Sequence, residues 1–160
     1  MGKIPLSALD KAMKLLSARA LSEAELTRKL HTAGYPADEV EEAVSTCCRL
    51  HYINDTQLAA DYTGLLRMRN TGSREIRRKL IRRGLGDEIV DRQLPEEDSE
   101  TADIEAARRA LDYKWRLLAR ESDPRKKREK AFRYLVGKGF PAGMIFKLIS
   151  EQEQTENTLY

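Results

Sequence analysis

The sequence is poor in the residues that build several common kinds of site. Its only cysteines, Cys47 and Cys48, are adjacent, so they lack metal-ligand spacing and cannot readily bridge to each other inside a helix. The two histidines add too few ligands for a zinc site. No apolar run approaches the length of a membrane span, and the N-terminus has no signal-peptide pattern. These absences favour reduced thiols, one of them buried, in a cytoplasmic protein without a metal or other cofactor.

Signatures of catalysis are missing as well. No Ser, His or Cys stands in a nucleophile motif, and there is no phosphate-binding glycine loop. Only 6% of the residues are aromatic, and Tyr113, Trp115 and Tyr134 have the helical spacing of a core rather than of a base-stacking platform. Asp55 and Asp61 could suggest a carboxylate pair, but Asp55 precedes an apolar-periodic run and fits a helix N-cap. We therefore expect no enzymatic activity.

Charge, in contrast, is abundant and strongly clustered. Charged residues make up 34% of the chain, although the formal net charge is only +3. The segment 67–83 has eight Lys or Arg against one acid, and 125–138 has seven against one. Between them, 94–106 has six acids and no base. Because such clusters create strong local fields even when the total is small, they predict an acidic partner.

A pattern of twenty residues occurs three times without gaps. The copies run from Glu25 to Val44, from Glu75 to Leu94 and from Lys130 to Ile149, at offsets of 50 and 55. The chain is therefore built on an internal repeat. The coinciding residues are Leu30, Leu80 and Leu135; Gly34, Gly84 and Gly139; Tyr35, Leu85 and Phe140; Val40, Val90 and Ile145; and Val44, Leu94 and Ile149.

Each copy predicts a helix, a glycine stop and a second helix. In the second copy, Ile76, Leu80 and Ile81 have the spacing of a helical apolar stripe. The glycine suits a left-handed C-terminal cap, and the residue after it suits the accompanying apolar contact. Pro36 and Pro141 fit the start of the following helix. The predicted N-caps are Ser22, in a capping box with Glu25, and Ser73 and Asp123.

Another helix precedes each copy, at roughly 6–18, 56–68 and 101–119. A three-helix unit of about fifty residues buries only a marginal core, so neighbouring units should stack. The predicted fold is all-α, with three tandem helix-turn-helix-like, three-helix repeats in an elongated, curved array. The predicted domains are 1–53, 54–95 (the most basic) and 96–160, which begins with an acidic joint. The hinge is predicted at Pro95 to Glu100.

On a helical wheel, the cations of the basic helix in the second copy point in different directions. At 100° per residue, Arg78, Lys79 and Arg82 fall opposite the apolar stripe, so they face water or a ligand. Arg77 points partly inward and is expected to snorkel or to pair with an acid, and Arg83 flanks the stripe. The binding candidates over all copies are Arg28, Arg69, Arg74, Arg78, Lys79, Arg82, Arg83, Arg125, Lys126, Lys127, Arg128, Lys130 and Arg133.

The alternative is that these cations form only a solvated face, as charge runs usually do. Such a face normally intersperses Glu at helical spacing, whereas the second and third basic helices each have one acid. Arg28, Arg78 and Arg133 also occupy the same place in every copy. Both features favour a binding role.

A second alternative is a helix-turn-helix protein that acts directly on DNA, because a helix, a short turn and a second helix are also the parts of that motif. The second helix would then read the bases. In the first two copies that helix, within 36–44 and 86–94, is acidic and would repel the major groove. Sequence-specific DNA binding therefore ranks second, while non-specific DNA contact remains compatible with the first interpretation.

Four segments, in order along nearly the whole chain, resemble the RecX family of bacterial regulators of the RecA recombinase. They are LLSARALSEAELTRKL (Leu15 to Leu30), YINDTQLAADY (Tyr52 to Tyr62), GSREIRRKLIRRGL (Gly72 to Leu85) and KAFRYLVGKGF (Lys130 to Phe140). His51 stands where the family usually has Gly, and Leu58 where an aromatic residue is common. Both are expected to be packing positions.

The resemblance implies a non-enzymatic regulator made of three three-helix repeats. Such a protein binds the RecA nucleoprotein filament on single-stranded DNA and limits its ATPase and strand-exchange activity, and so modulates DNA repair, recombination and the SOS response. A monomer that contacts recombinase subunits and DNA phosphates, and no membrane, is expected.

Overall fold

A computed structural model describes residues 5–158 of the chain, which form nine α-helices and no strand. The predicted all-α class is confirmed. Over the same residues, no helix is long and apolar enough to cross a membrane. The helices are α1 (Ala8–Ala18), α2 (Glu23–Thr32), α3 (Ala37–Arg49), α4 (Asp55–Met68), α5 (Ser73–Arg82), α6 (Asp87–Gln93), α7 (Glu96–Leu117), α8 (Pro124–Gly137) and α9 (Ala142–Thr158).

The described residues divide into two compact units. The first contains 5–62 and 80–93, which include α1 to α3 and α6. The second contains 63–79 and 94–158, which include α7 to α9. Helices α4 and α5 each contribute residues to both units. The middle sequence repeat is therefore shared between the two units.

Each unit has its own apolar core. In the first unit, Leu26, Leu30 and Cys47 are fully buried among α1, α2 and α3. In the second unit, Leu135 and Ile145 are fully buried among α7, α8 and α9, together with most of Trp115. Eleven of the twelve apolar residues that coincide in the three copies are at most 5% exposed, and Tyr35 is partly exposed. The core pattern predicted from the repeat is confirmed.

The predicted glycine turns are present in all three copies. Gly34, Gly84 and Gly139 have φ angles of 92°, 76° and 90°. In each copy, the glycine N–H donates to the carbonyl three residues back, and the next N–H donates to the carbonyl five residues back. This is the Schellman arrangement, which fills the free carbonyls at the helix end.

The same turn ends α3 and α4, with residues other than glycine in the left-handed position. His51 has φ 60° and Asn70 has φ 52°. The prediction that His51 is a packing position was wrong, because its side chain is exposed and its backbone caps α3. Glycine adopts this left-handed conformation most readily, which accounts for the Gly that the family usually has where this chain has His51.

Two of the predicted N-caps are confirmed. Ser22 and Glu25 form a reciprocal capping box at the start of α2. Asp123 caps α8 by accepting hydrogen bonds from the N–H groups of Arg125 and Lys126. Both caps follow from local sequence alone.

The other two caps lie one residue earlier than predicted. Gly72, not Ser73, precedes α5, since its carbonyl accepts the first helical hydrogen bond of that helix. Asn54, not Asp55, caps α4, and its Oδ1 accepts from the N–H of Gln57 at 3.0 Å. The Asp55 carboxylate instead accepts from the N–H of Glu23 at 3.0 Å, so it supports the start of α2.

Two expectations about apolar and acidic segments are also corrected. The segment 96–100 is the beginning of α7 rather than an irregular joint. Pro95 precedes this helix, and Glu96, Glu97 and Asp98 lie in its first turn, where carboxylates complement the helix dipole. Ile81 is predicted on the apolar stripe, but 48% of it is exposed.

Candidate functional site

Helix α5 places several of its cations on a single solvent-facing strip. Ile76 and Leu80 are fully buried. Arg74, Arg78 and Arg82 are exposed, and their spacing of four residues aligns them along one side of the helix at intervals of about 6 Å. We call these three residues the α5 basic face. Arg78 and Arg82 thus lie where the helical wheel places them.

The α5 basic face has little compensating negative charge. Glu75 is its neighbouring carboxylate, and Oε2 of this residue lies 2.5 Å from Nη2 of Arg78. The same side chain lies 3.9 Å from Nζ of Lys79, which is only 35% exposed. Arg74 and Arg82 have no carboxylate within 4 Å among the described residues. One acid therefore faces several cations.

Arg83, also a candidate, is occupied within the first unit. Its guanidinium donates to both carboxylate oxygens of Glu25, at 3.1 and 2.9 Å, and to the carbonyl of Ala20 at 3.0 Å. It also lies 5.1 Å from the ring centroid of Tyr62. Burial alone would raise the pKa of Glu25, but the hydrogen bonds from Arg83 and from the N–H of Ser22 outweigh it and lower that pKa. Arg83 thus stabilises the fold.

Four candidates on α8 also have acidic partners. Nζ of Lys127 lies 2.9 Å from Glu156 and 4.2 Å from the ring centroid of Trp115. Nζ of Lys130 lies 2.5 Å from Glu121. The remaining two pairs are Arg128 with Glu153 and Arg133 with Glu129. Glu121, Glu153 and Glu156 lie outside the basic segment 125–138, so the charge count of that segment does not include them.

The other candidates are exposed and lack such partners. Within the described residues, Arg28 on α2, Arg69 after α4, and Arg125 and Lys126 at the start of α8 have no carboxylate within 4 Å. With Arg74 and Arg82, they are the candidate cations whose charge is not balanced by a nearby acid. The first unit contains Arg28 and Arg82, and the second contains the other four.

A buried polar cluster, which the sequence did not suggest, anchors the start of α5 in the second unit. The Asp103 carboxylate accepts from the N–H of Ser73 at 2.9 Å and from its hydroxyl at 2.8 Å. It also forms an ion pair of 2.8 Å with Arg67, whose Nη2 donates to Ser73 Oγ at 2.6 Å. A carboxylate at a helix N-terminus is favourable. These contacts span 30 and 36 positions, so no sequence spacing reveals them.

Beside this cluster, the second unit has a cavity of about 670 Å³. Ile104, Met144 and Leu148 supply apolar lining, and Arg74 and Lys147 supply cations. Arg77 lines the same cavity and is only partly exposed, in agreement with its predicted inward direction. Because of Arg74, the cavity adjoins one end of the α5 basic face.

The described residues form a helical protein with an exposed cationic face on α5. The family model described as RecX, first three-helix domain, matches residues 8–47, and that described as RecX, third three-helix domain, matches 101–149. Regulatory protein RecX of Chlorobaculum tepidum is 33% identical over 135 residues, covering 84% of this chain and 81% of the relative. The chain belongs to the RecX family of regulatory proteins, as its sequence motifs indicated.

Two further comparisons agree with this assignment. Regulatory protein RecX of Deinococcus radiodurans is 33% identical over 143 residues, which cover 88% of this chain and 65% of the relative. The crystal structure of RecX from Lactobacillus salivarius matches with a TM-score of 0.72 at 22% identity, over 92% of this chain and 95% of that one. At this identity the structural match concerns the fold, and it confirms the predicted class of helical repeats.

Proposed function

We propose that this regulator binds the RecA nucleoprotein filament on single-stranded DNA in the cytoplasm. It acts there by association, as a monomer, and limits the ATPase and strand-exchange activity of the filament without chemistry of its own. Membership of a family of regulatory proteins supports the regulatory role. The cationic surface supports the mode of binding.

The observation that carries the proposal is the α5 basic face. Its three guanidinium groups are exposed on one side of a well-anchored helix, and two of them have no carboxylate within 4 Å among the described residues. A nucleoprotein filament presents phosphates and acidic side chains, and releasing counterions from phosphates favours contact with such a face. Arg28, Arg69, Arg125 and Lys126 are secondary contacts. Arg83 and the paired cations of α8 are not included.

Direct reading of DNA sequence remains the less favoured function. In α3 the first turn carries Asp38 and Glu39, and in α6 it carries Asp87 and Glu88; all four side chains are exposed. A helix with this charge is repelled by the phosphates that border a major groove. Non-specific contact between the α5 basic face and DNA phosphates is compatible with binding to the filament.

An ATPase assay tests the regulatory proposal. Added to RecA assembled on single-stranded DNA, the protein should lower the rate of ATP turnover, and it should turn over no ATP by itself. An unchanged rate at saturating protein would rule out the proposed inhibition. Sequence-specific DNA binding is tested by measuring binding to duplexes of different sequence without RecA. This rival function requires a clear preference for one sequence.

The face itself is tested by replacing Arg74, Arg78 and Arg82 together with Glu. We expect loss of filament binding with an unchanged circular dichroism spectrum, because none of the three side chains is buried. The matched control replaces Arg92, Arg109 and Arg116, which are also exposed, with Glu and changes the net charge equally. If the face binds single-stranded DNA, Ala variants should reduce the salt slope of log K by about 0.7 for each phosphate that is no longer neutralised. Equal binding by both triple variants would exclude this face.

A further inference from the structure

The glycine turn that ends α5 is used as a contact surface in the first unit. The carbonyl of Arg83 accepts a hydrogen bond from the hydroxyl of Ser22, the N-cap of α2. The fit is tight, since a Cβ added to Gly84 would lie 2.5 Å from Cβ of Ala24. A turn at the end of one helix thus seats on the start of another.

The turn that ends α8 makes an analogous contact in the second unit. The carbonyl of Lys138 accepts from the N–H of Gly72, which precedes α5, at 2.8 Å. A Cβ added to Gly139 would lie 2.5 Å from Cβ of Glu75. Lys138 and Gly139 correspond in the repeat to Arg83 and Gly84, and Gly72 corresponds to Ser22. The chain therefore makes the same kind of contact twice.

The first copy has the same turn without an occupant. Gly34 has φ 92° and the same pair of backbone hydrogen bonds as its counterparts. Among the described residues, no atom lies within 4 Å of the place where its Cβ would be. Ala33 and Gly34 are both exposed. The backbone is thus shaped for the contact that the other two copies make.

The two occupied turns define the chemistry of the missing occupant. Each receives a helix start that offers one hydrogen-bond donor at the cap position and brings the Cβ of a first-turn residue, Ala24 or Glu75, close to the glycine. A shallow groove beside Ala33 is lined by Lys11, Arg28 and Lys29 and by no acid. Acidic residues in the first turn of the occupant would complement these cations, and helices commonly carry acids there.

A second copy of this chain cannot make the contact with the helix start that the repeat would supply. Its α2 and α5 starts are already covered by its own turns. In α8, Lys127 stands where the other copies have Ser22 and Gly72, and this helix begins at Pro124, four residues earlier than the repeat would place it. Lys127 is also engaged with Glu156. The donor position at the helix start is therefore altered in the third copy.

We infer that the turn at Ala33 and Gly34 is a docking surface for the N-terminus of a helix in another protein, one with a donor at its cap and acids in its first turn. On the proposed function, on which this inference rests, that helix belongs to a recombinase subunit of the filament. The contact is separate from the α5 basic face and relies on shape more than on charge.

Gly34→Asn tests this inference. Asn tolerates a positive φ and meets no atom in the free chain, but its Cβ would collide with a helix start seated as at Gly84 or Gly139. Binding to RecA on single-stranded DNA, followed by fluorescence anisotropy, should weaken about tenfold or more, a change of about 1.4 kcal/mol. The control Gly64→Asn lies in α4, also in open space, and should bind like the parent.

The possible outcomes separate the two proposals. If the parent binds and Gly34→Asn binds equally well, the docking surface is wrong while the proposed function stands. If the parent does not bind RecA, both are wrong. Sedimentation that shows self-association of the parent, abolished in Gly34→Asn, would replace the proposed partner by a second copy. As a measurement independent of affinity, a photo-crosslinker on Ala33→Cys should capture RecA, and one on Gly64→Cys should not.

Discussion

Glu25 and Arg83 show how single residues decide which cations are available. Only 8% of the Glu25 side chain and 17% of the Arg83 side chain are exposed, and the two residues are 58 positions apart. The helical wheel places Arg83 beside the apolar stripe and Arg82 opposite it, but it does not show that Arg83 has a buried acidic partner. The sequence therefore shows where the cations lie along α5 but not which acids pair with them, because partners such as Glu25 come from other helices.

The pH dependence of stability tests this pair. Glu25→Gln removes a charged, mostly buried partner and should cost about 1.5 to 3 kcal/mol near neutral pH. The folded-state pKa of Glu25 lies below its ordinary value of 4.5, so the pair stabilises the fold above that value and loses its effect as pH falls through the folded pKa. Urea unfolding from pH 7 downward should therefore show the parent and the variant converging.

The control for this prediction is Glu88→Gln. Glu88 pairs with Arg92, but 80% of its side chain is exposed, so the change should stay within about 0.5 kcal/mol. A stability gap between the parent and Glu25→Gln that stays constant to pH 3 would show that the carboxylate contributes nothing through its charge.

At the scale of helices, much of the architecture was available from the sequence. Period, glycine and cap signals located α2, α3, α5 and α8 to within a few residues, because each signal acts through the local backbone. The start of α7 was missed because a run of acids after Pro95 resembles a solvated linker. The same acids are favourable in a first helical turn, and only packing of the later part of α7 decides between the two.

The two sides of α5 differ in how much they contribute to stability. Leu80 is fully buried, so Leu80→Ala should cost about 2 to 5 kcal/mol by leaving a cavity. Ile81, the next residue, is 48% exposed, and Ile81→Ala should change the free energy of unfolding by much less, about 0.5 kcal/mol. Chemical denaturation measures both. Similar costs for the two variants would contradict the observed orientation of the helix.

For the whole molecule, the repeat predicted a fold of helical repeats but not the division of the described residues into two compact units. The sequence similarity shows where each copy of the repeat begins, at offsets of 50 and 55 residues. Compactness depends on which helices touch, and the turn contacts at Gly84 and Gly139 lie in different units. The middle repeat is shared for this reason, and no periodicity in the sequence could show it.

The contribution of a repeat contact can be measured with two matched glycines. Gly34 and Gly139 have nearly equal φ, 92° and 90°, so replacing either with Ala introduces a similar backbone strain of about 1 to 2 kcal/mol. Only Gly139 is also packed against Glu75, and overpacking there should add about 1 to 3 kcal/mol. Equal unfolding free energies for the two Ala variants would mean that the contact adds nothing.

The altered start of α8 has a consequence for how copies of the protein behave in a crowded cell. A contact between the end of one helix and the start of another is heterologous, because the two surfaces differ. If both surfaces were free on one molecule, copies could associate head to tail into an open-ended filament. Here the exposed turn at Gly34 has no matching face at Lys127. If the turn at Gly34 docks a helix start as proposed, copies of this chain cannot join end to end through the repeat contact, because the corresponding helix start in the third copy is altered.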